Sequence, residues 1–285
     1  MESEVMTAAA PDHKVAITVA PNGGRRVKDD HSAIPLDARE LAATAAECLA
    51  AGAAMIHIHV RDVDGKHLLD ADAYRDTIAA IRTQVGDRLI VQISTEALGI
   101  YEPDHQIAVV KATRPEAASI ALREFLRNPE DEQPFGDFLD WLHRAHVLPQ
   151  IILYEPAEAV RLADLQRRGL VPWSDVPVLY VLGRYTVGQT SEPTDLLPFL
   201  ASGIPHFRHW SLCAFGQNEA ACVVAGALRG GHVRVGFENN LWMPDGSLAA
   251  NNADLVRVTA AILAAAGRTP MSAQQLRGCW TGMTA

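Results

Sequence analysis

Two histidines and an arginine alternate with apolar residues in the stretch MIHIHVRD, which runs from Met55 to Asp62. Side chains along a β-strand point alternately to opposite faces, so His57, His59 and Arg61 are expected to share one face. Two imidazoles spaced in this way can each offer a ring nitrogen to the same metal ion. The stretch therefore predicts a buried strand that ends in a pair of metal ligands. The alternative is that both histidines form hydrogen bonds to neighbouring backbone or carboxylate groups.

A carboxylate that could complete this ligand set lies in the later stretch RVGFENN. If this stretch is a strand, Arg234, Gly236, Glu238 and Asn240 share one face, with Glu238 at the strand end. Two histidines and one glutamate are a ligand set typical of catalytic zinc, which leaves a fourth position for water or substrate. A closed structural zinc site would need a further protein donor.

Other polar residues follow predicted strands and are candidates for binding a substrate. Ser94, Thr95 and Glu96 could bind a carboxylate or cap a helix, and Ser119 stands at the end of the next strand. Arg25 follows two glycines and could either contact an anion or form a solvated pair with its neighbour. Three further strand-end candidates are Glu155, Arg184 and Tyr185.

Apolar segments that read as strands alternate along the chain with segments of helical period. The predicted strands are 15–20, 54–60, 89–94, 117–121, 148–153, 176–182, 206–213 and 233–237. The predicted helices are 37–51, 72–85, 104–112, 136–146, 156–168, 194–202, 217–228, 251–266 and 271–277. Eight strand–helix units most simply close into a (β/α)₈ barrel, whose catalytic groups lie at the carboxyl ends of its strands. An open doubly wound sheet is the rival, although no GxGxxG or P-loop pattern supports it.

Composition sets broader limits on the class of protein. The 285 residues are 48% hydrophobic and carry a net charge of −9, which argues against a general nucleic-acid surface. Four cysteines in no metal-like spacing indicate a reducing compartment, and neither a signal peptide nor a membrane-spanning segment is evident. We expect a cytoplasmic protein with one domain over residues 1–285 and a short polar or disordered segment at residues 1–13.

The stretches HIHVRD and GGHVRVGFENN together resemble the β-keto acid cleavage enzymes, whose best-known activity is 3-keto-5-aminohexanoate cleavage. The resemblance extends from AITVAPNGG to the closing helices. It implies a (β/α)₈ barrel, commonly a homotetramer, with one Zn²⁺ per subunit. It also implies a retro-Claisen-type exchange, in which a β-keto acid and acetyl-CoA give acetoacetate and a new CoA thioester.

The resemblance assigns roles to individual residues. His57, His59 and Glu238 match the zinc ligands of the family, and Arg234 matches an arginine near the metal. Ser94 matches the serine that contacts the substrate carboxylate. We place Thr95, Ser119 and Arg25 with Ser94 in the substrate site, and Arg234 with Asn239 in the catalytic set.

Three positions depart from the family pattern. Asn239 stands where the family has an aspartate credited with proton abstraction, and an amide cannot serve as that base. Arg25 replaces a glutamate that recognises a substrate amino group, and Ile152 replaces an acidic residue near the fifth strand. These changes favour a neutral or anionic β-keto acid over an amino-bearing one. Glu96 or Glu155 could act as another base.

The predicted function is therefore zinc-dependent cleavage of a β-keto acid with acetyl-CoA as co-substrate. One alternative is a metal-dependent hydrolase or aldolase that does not use CoA. Another is a catalytically impaired homologue that binds a metal or ligand, because Asn239 replaces the aspartate. No nucleic-acid or membrane partner is expected.

Overall fold

Eight parallel strands close into a barrel in the computed structural model, which describes residues 13–281. Each strand pairs with the next along the chain, and β8 pairs with β1 through the register Arg234 to Thr18. The predicted single-domain (β/α)₈ barrel is confirmed. Its strands are β1 Ile17–Val19, β2 Met55–Ile58, β3 Ile90–Ser94, β4 Ala117–Ala121, β5 Leu148–Leu153, β6 Val178–Leu182, β7 Trp210–Ala214 and β8 His232–Val235.

Helices between the strands cover the outside of the barrel. Asp37 caps α1 by accepting from the Glu40 amide, and Gly52 ends it in the left-handed conformation, as the sequence predicts. The α-helices of the described part of the chain are α1 Ala38–Ala51, α2 Ala71–Val85, α3 Pro103–Thr113, α4 Leu122–Phe125, α5 Glu132–Arg144, α6 Pro156–Arg167, α7 Glu219–Leu228, α8 Asn252–Ala265 and α9 Ala273–Thr281.

Within residues 13–281, two segments form 3₁₀-helices, Pro129–Asp131 and Pro193–Leu200. The second lies where the sequence predicts an α-helix at 194–202. Pro198 stands inside it and has no amide hydrogen to donate, which opposes a regular α-helix there.

β2 and β8, the two strands that the sequence predicts to carry metal ligands, both stop earlier than predicted. Val60–Arg61 leaves the barrel after β2 and pairs antiparallel with His67–Leu68, because Asp62 accepts from the Lys66 amide and closes a hairpin. β8 ends at Val235, since Gly236 turns the chain with φ +137°. A second short pair, His13–Val15 with Arg268–Pro270, is parallel.

Side chains of the barrel strands divide between an apolar outer layer and a partly polar interior. Ile17, Ile56 and Val91 are fully or almost fully buried in the main hydrophobic core. Gln92, Gln150 and Ser211 are also buried, although barrel interiors are dominated by branched apolar residues. The barrel interior therefore contains buried polar side chains as well as packed apolar ones.

The predicted N-terminal segment lies outside the described residues, apart from His13. Within residues 13–281, no helix combines the length and hydropathy needed to cross a membrane.

Candidate metal centre and active site

Three ligand atoms converge at the carboxyl ends of β2 and β8. His57 lies in β2, His59 follows its last residue, and Glu238 lies in the turn after β8. The two Nε2 atoms are 3.0 Å apart, and each lies 3.5 Å from Glu238 Oε2. The structure therefore brings together the predicted ligand set, from strands that neighbour one another only across β1.

The protonation of this triad suits a divalent cation. Burial lowers the pKa of His57 to about 3, so its imidazole is neutral near pH 7. Burial alone raises the pKa of Glu238, but Arg234 and the two imidazoles hold it well below its ordinary value. Neutral imidazoles with a carboxylate are the donors that zinc accepts in catalytic sites.

An unsatisfied oxygen at the centre of the triad supports the same fit. Among the described residues, Glu238 Oε2 has no hydrogen-bond partner although it is buried. Buried polar atoms in proteins are almost always paired with a donor, water or ion. A metal ion between the three atoms would satisfy this oxygen and separate the two close imidazole nitrogens.

The turn that carries Glu238 is held from several sides. Glu219 Oε1 accepts from the Gly236 amide at 3.2 Å, and Asn252 Oδ1 accepts from the Phe237 amide at 2.9 Å. Arg26 donates to the Phe237 carbonyl at 2.7 Å. The carboxylate therefore has a defined position before any ligand arrives. Sequence reasoning missed Glu219, whose place at the start of α7 looks like that of an ordinary helix-end acid.

Residues 234–240 do not form one continuous strand, so the predicted alternation of their side chains is wrong. Arg234 and Glu238 nevertheless lie side by side, as that alternation predicted. Arg234 Nη2 donates to Glu238 Oε1 at 3.0 Å, but the two residues meet across a turn. Asn240 instead donates to the Trp242 carbonyl at 2.6 Å, within the turn region. Arg61 likewise bonds backbone carbonyls of Gly65 and the 23–26 loop. It therefore has a structural role beside the site.

A cavity lies against the triad, and part of its wall is polar. Ser94, Thr95, Ser119 and Arg234 line it. Thr95 donates its hydroxyl hydrogen to the Ser119 carbonyl at 2.8 Å, whereas Ser94 Oγ accepts from the Glu96 amide at 3.1 Å. Across the described chain, the buried atoms Ser119 Oγ, Arg234 Nε and Arg234 Nη1 have no hydrogen-bond partner. This wall has the donors that an anionic oxygen requires.

In contrast to this polar wall, the cavity residues on or just after β4 to β7 are mostly apolar. Ala121, Ile152, Tyr154, Val181 and Phe215 line the cavity there. Val181 and Phe215 belong to a small hydrophobic cluster separate from the main core, and Ile152 and Tyr154 pack against it. We call these five residues the apolar wall. It offers no charged partner to a substrate.

Glu96 and Arg184 lie between this cavity and a second one next to it. Arg184 Nη2 donates to Glu96 Oε1 at 3.1 Å, and both side chains line both cavities. Exposed Arg25 lines only the second cavity. Its predicted contact with substrate remains a prediction.

Two further candidates, Asn239 and Glu155, do not line the cavity beside the triad. Asn239 is buried, does not line the cavity, and its side-chain amide has no partner among the described residues. Glu155 is exposed and pairs with Arg123 at 3.3 Å. Of the two possible replacement bases, only Glu96 reaches the cavity.

The fold and the site together define a (β/α)₈-barrel enzyme with a candidate metal centre at the carboxyl ends of its strands. A model of the β-keto acid cleavage enzyme family matches residues 14–280. The chain belongs to this family, and it is a carbon–carbon-bond-cleaving acyltransferase.

Individual relatives agree with this placement. The chain is 29% identical over 274 residues to the 3-keto-5-aminohexanoate cleavage enzyme of Fusobacterium nucleatum subsp. nucleatum, covering 92% of this chain and 97% of that protein. It is 25% identical over 272 residues to the 3-oxoadipate:acetyl-CoA acetyltransferase of Cupriavidus necator, covering 92% of each. The solved ternary complex of ObcA with C4-CoA adduct and oxalate superimposes with a TM-score of 0.67 at 18% identity, covering 86% of this chain and 67% of that one.

Removing one ligand should empty the metal centre. We expect His57→Ala and Glu238→Ala each to reduce bound zinc to a small fraction of one ion per subunit, because each removes one of three protein donors. Elemental analysis after dialysis measures this content. His206→Ala, an exposed histidine, is the matched control and should keep the wild-type zinc content. Full occupancy in both ligand variants would contradict the site.

Glu219 should make stability depend on pH. Burial raises the pKa of this carboxyl from 4.5 to about 8, so the folded state keeps a proton that the unfolded state has lost. Stability therefore falls as pH rises from 4.5 to about 8, by at most about 1.4 kcal/mol per pH unit. Glu219→Gln should remove this decline in the free energy of unfolding, measured by urea titration across that range. Exposed Glu130→Gln should retain it, and identical pH profiles for Glu219→Gln and wild type would contradict the assignment.

Proposed function

We propose that this protein is a zinc-dependent enzyme that exchanges acyl groups between a β-keto acid and acetyl-CoA. A substrate R–CO–CH₂–COO⁻ and acetyl-CoA would give acetoacetate and the thioester R–CO–S-CoA, which balances all atoms and charges. The observation that carries the proposal is the convergence of His57, His59 and Glu238 beside buried, unpartnered donors of Arg234. Family membership and a relative named as an acetyl-CoA acetyltransferase support it.

The residues around the cavity would divide the work of binding. His57, His59 and Glu238 would hold a zinc ion, which would supply Lewis-acid polarisation of the keto oxygen. Ser94 and Ser119 hydroxyls, with Thr95 beside them, hold the substrate carboxylate. Arg234 keeps Glu238 ionised and turns its remaining donors toward developing negative charge.

Because residue 239 is an asparagine, the carboxylate that accepts a proton must come from another residue. Glu96 lines the cavity, with Oε1 bonded to Arg184 and Oε2 lying 3.8 Å from His59 Nδ1. We propose that Glu96 accepts the proton from the substrate carbon, and that the buried amide of Asn239, which does not line the cavity, takes no part in this transfer. This assignment replaces the aspartate of the family pattern with a carboxylate from another strand end.

The cavity walls support a substrate without an amino group. The apolar wall includes Ile152 and carries no carboxylate to pair with an ammonium group. Arg25 and Arg184 line the adjoining cavity, where they would favour a neutral or anionic substituent. The proposed substrate class is therefore a neutral or anionic β-keto acid.

Two broader features are proposed with the activity. The resemblance to the family supports a homotetramer, and the composition supports a cytoplasmic location. Small-molecule keto acid and acetyl-CoA are the proposed partners.

The activity can be tested directly with zinc-loaded protein. We expect a panel of β-keto acids with acetyl-CoA to yield acetoacetate and a new CoA thioester, with neutral or anionic substrates preferred over amino-bearing ones. Mass spectrometry of the thioester identifies the substrate. The apo-protein is the control. No thioester with any member of the panel would contradict the proposal, and metal-dependent turnover without CoA would select a hydrolase or aldolase.

Asn239 distinguishes an altered mechanism from lost activity. If Glu96 performs the proton transfer, Asn239→Asp should lower an existing acyl-exchange activity, because a third carboxylate, in addition to Glu96 and Glu238, adds negative charge near the metal site. The measurement is the kcat of thioester formation. Asn128→Asp adds the same charge at an exposed residue that does not line the cavity, and it should leave kcat unchanged. Activity that appears only in Asn239→Asp would show instead that the natural chain is catalytically impaired.

A further inference from the structure

A hydrogen-bonded row of side chains crosses the inside of the barrel below the metal centre. His57 Nδ1 lies 2.9 Å from Gln92 Oε1, Gln92 Nε2 donates to Gln150 Oε1 at 3.2 Å, and Gln150 Nε2 donates to Ser211 Oγ at 3.3 Å. The last three residues come from β3, β5 and β7, and their exposed fractions are 1%, 3% and 6%. Alternate strands supply one interior layer in such barrels, which explains how these residues meet.

The hydrogen bonds of the row all run in the same direction, and this direction decides which ring nitrogen of His57 carries the hydrogen. Each glutamine donates through its amide nitrogen to the next member and accepts through its oxygen from the previous one. The Gln92 oxygen can only accept, so His57 Nδ1 must carry the hydrogen. A neutral imidazole with hydrogen on Nδ1 has its lone pair on Nε2, the atom that faces His59 and Glu238.

Reversal of the row would have the opposite effect. A flipped Gln92 would present its NH₂ group to Nδ1, so the hydrogen would move to Nε2 and block that nitrogen as a ligand. Gln150 opposes the flip, because the oxygen of a flipped Gln92 would then face the oxygen of Gln150. Both amides would have to turn together.

His59 has no comparable support. Its Nδ1 is buried without a hydrogen-bond partner in the described part of the chain, and Glu96 Oε2 is 3.8 Å away. The two histidines therefore differ, and His57 is the one whose ring is held in place before a metal binds.

We propose that Gln92 is a positioning residue that fixes the tautomer and ring orientation of His57, and that Gln150 in turn orients Gln92. The inference rests on the metal site of the proposed function, but not on CoA or on the keto acid. Partners of this kind orient metal-binding histidines and affect metal affinity without touching the ion.

Two substitutions at one position separate this role from simple packing. Gln92→Met removes the acceptor while keeping a similar length, and we expect its zinc affinity to fall about 10- to 100-fold. Gln92→Glu keeps an acceptor for His57 Nδ1, and Gln150 can turn to donate to the new carboxylate, so zinc affinity should remain near that of wild type. Competition with a chelator gives the dissociation constants, and thermal unfolding of the metal-free variants monitors the fold.

Two affinity results would overturn the proposal. One is wild-type zinc affinity in Gln92→Met, and the other is an equal loss of affinity in both variants. A wild-type chain that does not bind zinc would contradict the proposed function itself, which a loss confined to Gln92→Met would not.

Two further measurements apply even if Gln92→Met does not fold. Nitrogen-15 NMR of the metal-free wild-type protein should show His57 with its hydrogen on Nδ1, and a hydrogen on Nε2 would overturn the proposal. Gln150→Met leaves the Gln92 acceptor in place but removes its support. It should weaken zinc binding relative to the wild-type chain, and unchanged affinity would remove Gln150 from the proposal.

Discussion

The ion pair between Arg234 and Glu238 is the interaction on which the site depends. Glu238 is largely buried beside two imidazoles, and an isolated carboxylate there would favour its protonated form. Arg234, at 3.0 Å and 3% exposed, keeps the carboxylate ionised. Burial of two charges has a large desolvation cost, and removal of one partner leaves the other uncompensated. The pair therefore serves the chemistry of the site more than the stability of the barrel.

Closure of the barrel places this pair beside the histidines. β8 and β2 are neighbours only through β1, so Glu238 reaches His57 because the sheet closes with one particular register. The turn after β8 is then held by Glu219 of α7, the helix before β8, and by Asn252 of α8, the helix after it. A polar row inside the barrel supports His57 from the other side. Metal binding, in this view, is prepared by both the turn and the barrel interior.

The proton-transfer side of the site differs from the metal side. The ligand set follows the family pattern, but position 239 holds an amide that does not line the cavity. A different carboxylate, Glu96, reaches the cavity from β3 and is tied to Arg184 from β6. Carboxylates from different strands can reach the same site in such a barrel, because the carboxyl ends of all its strands lie on one side. The apolar wall on β4 to β7 lines the same cavity.

Local patterns in the sequence determined the elements and half of the metal centre. Strand and helix periods predict the barrel, and the spacing of His57 and His59 predicts a ligand pair, since both depend on residues close in sequence. The sequence also offered Glu238 as a ligand, but it placed this residue at the end of a strand, whereas the structure places it in the turn after β8. The turn at Gly236, the support from Glu219 and the contact between Gln92 and Gln150 were decided only by the tertiary structure. Those contacts join residues that become neighbours when the barrel closes, and no periodicity along the chain records them.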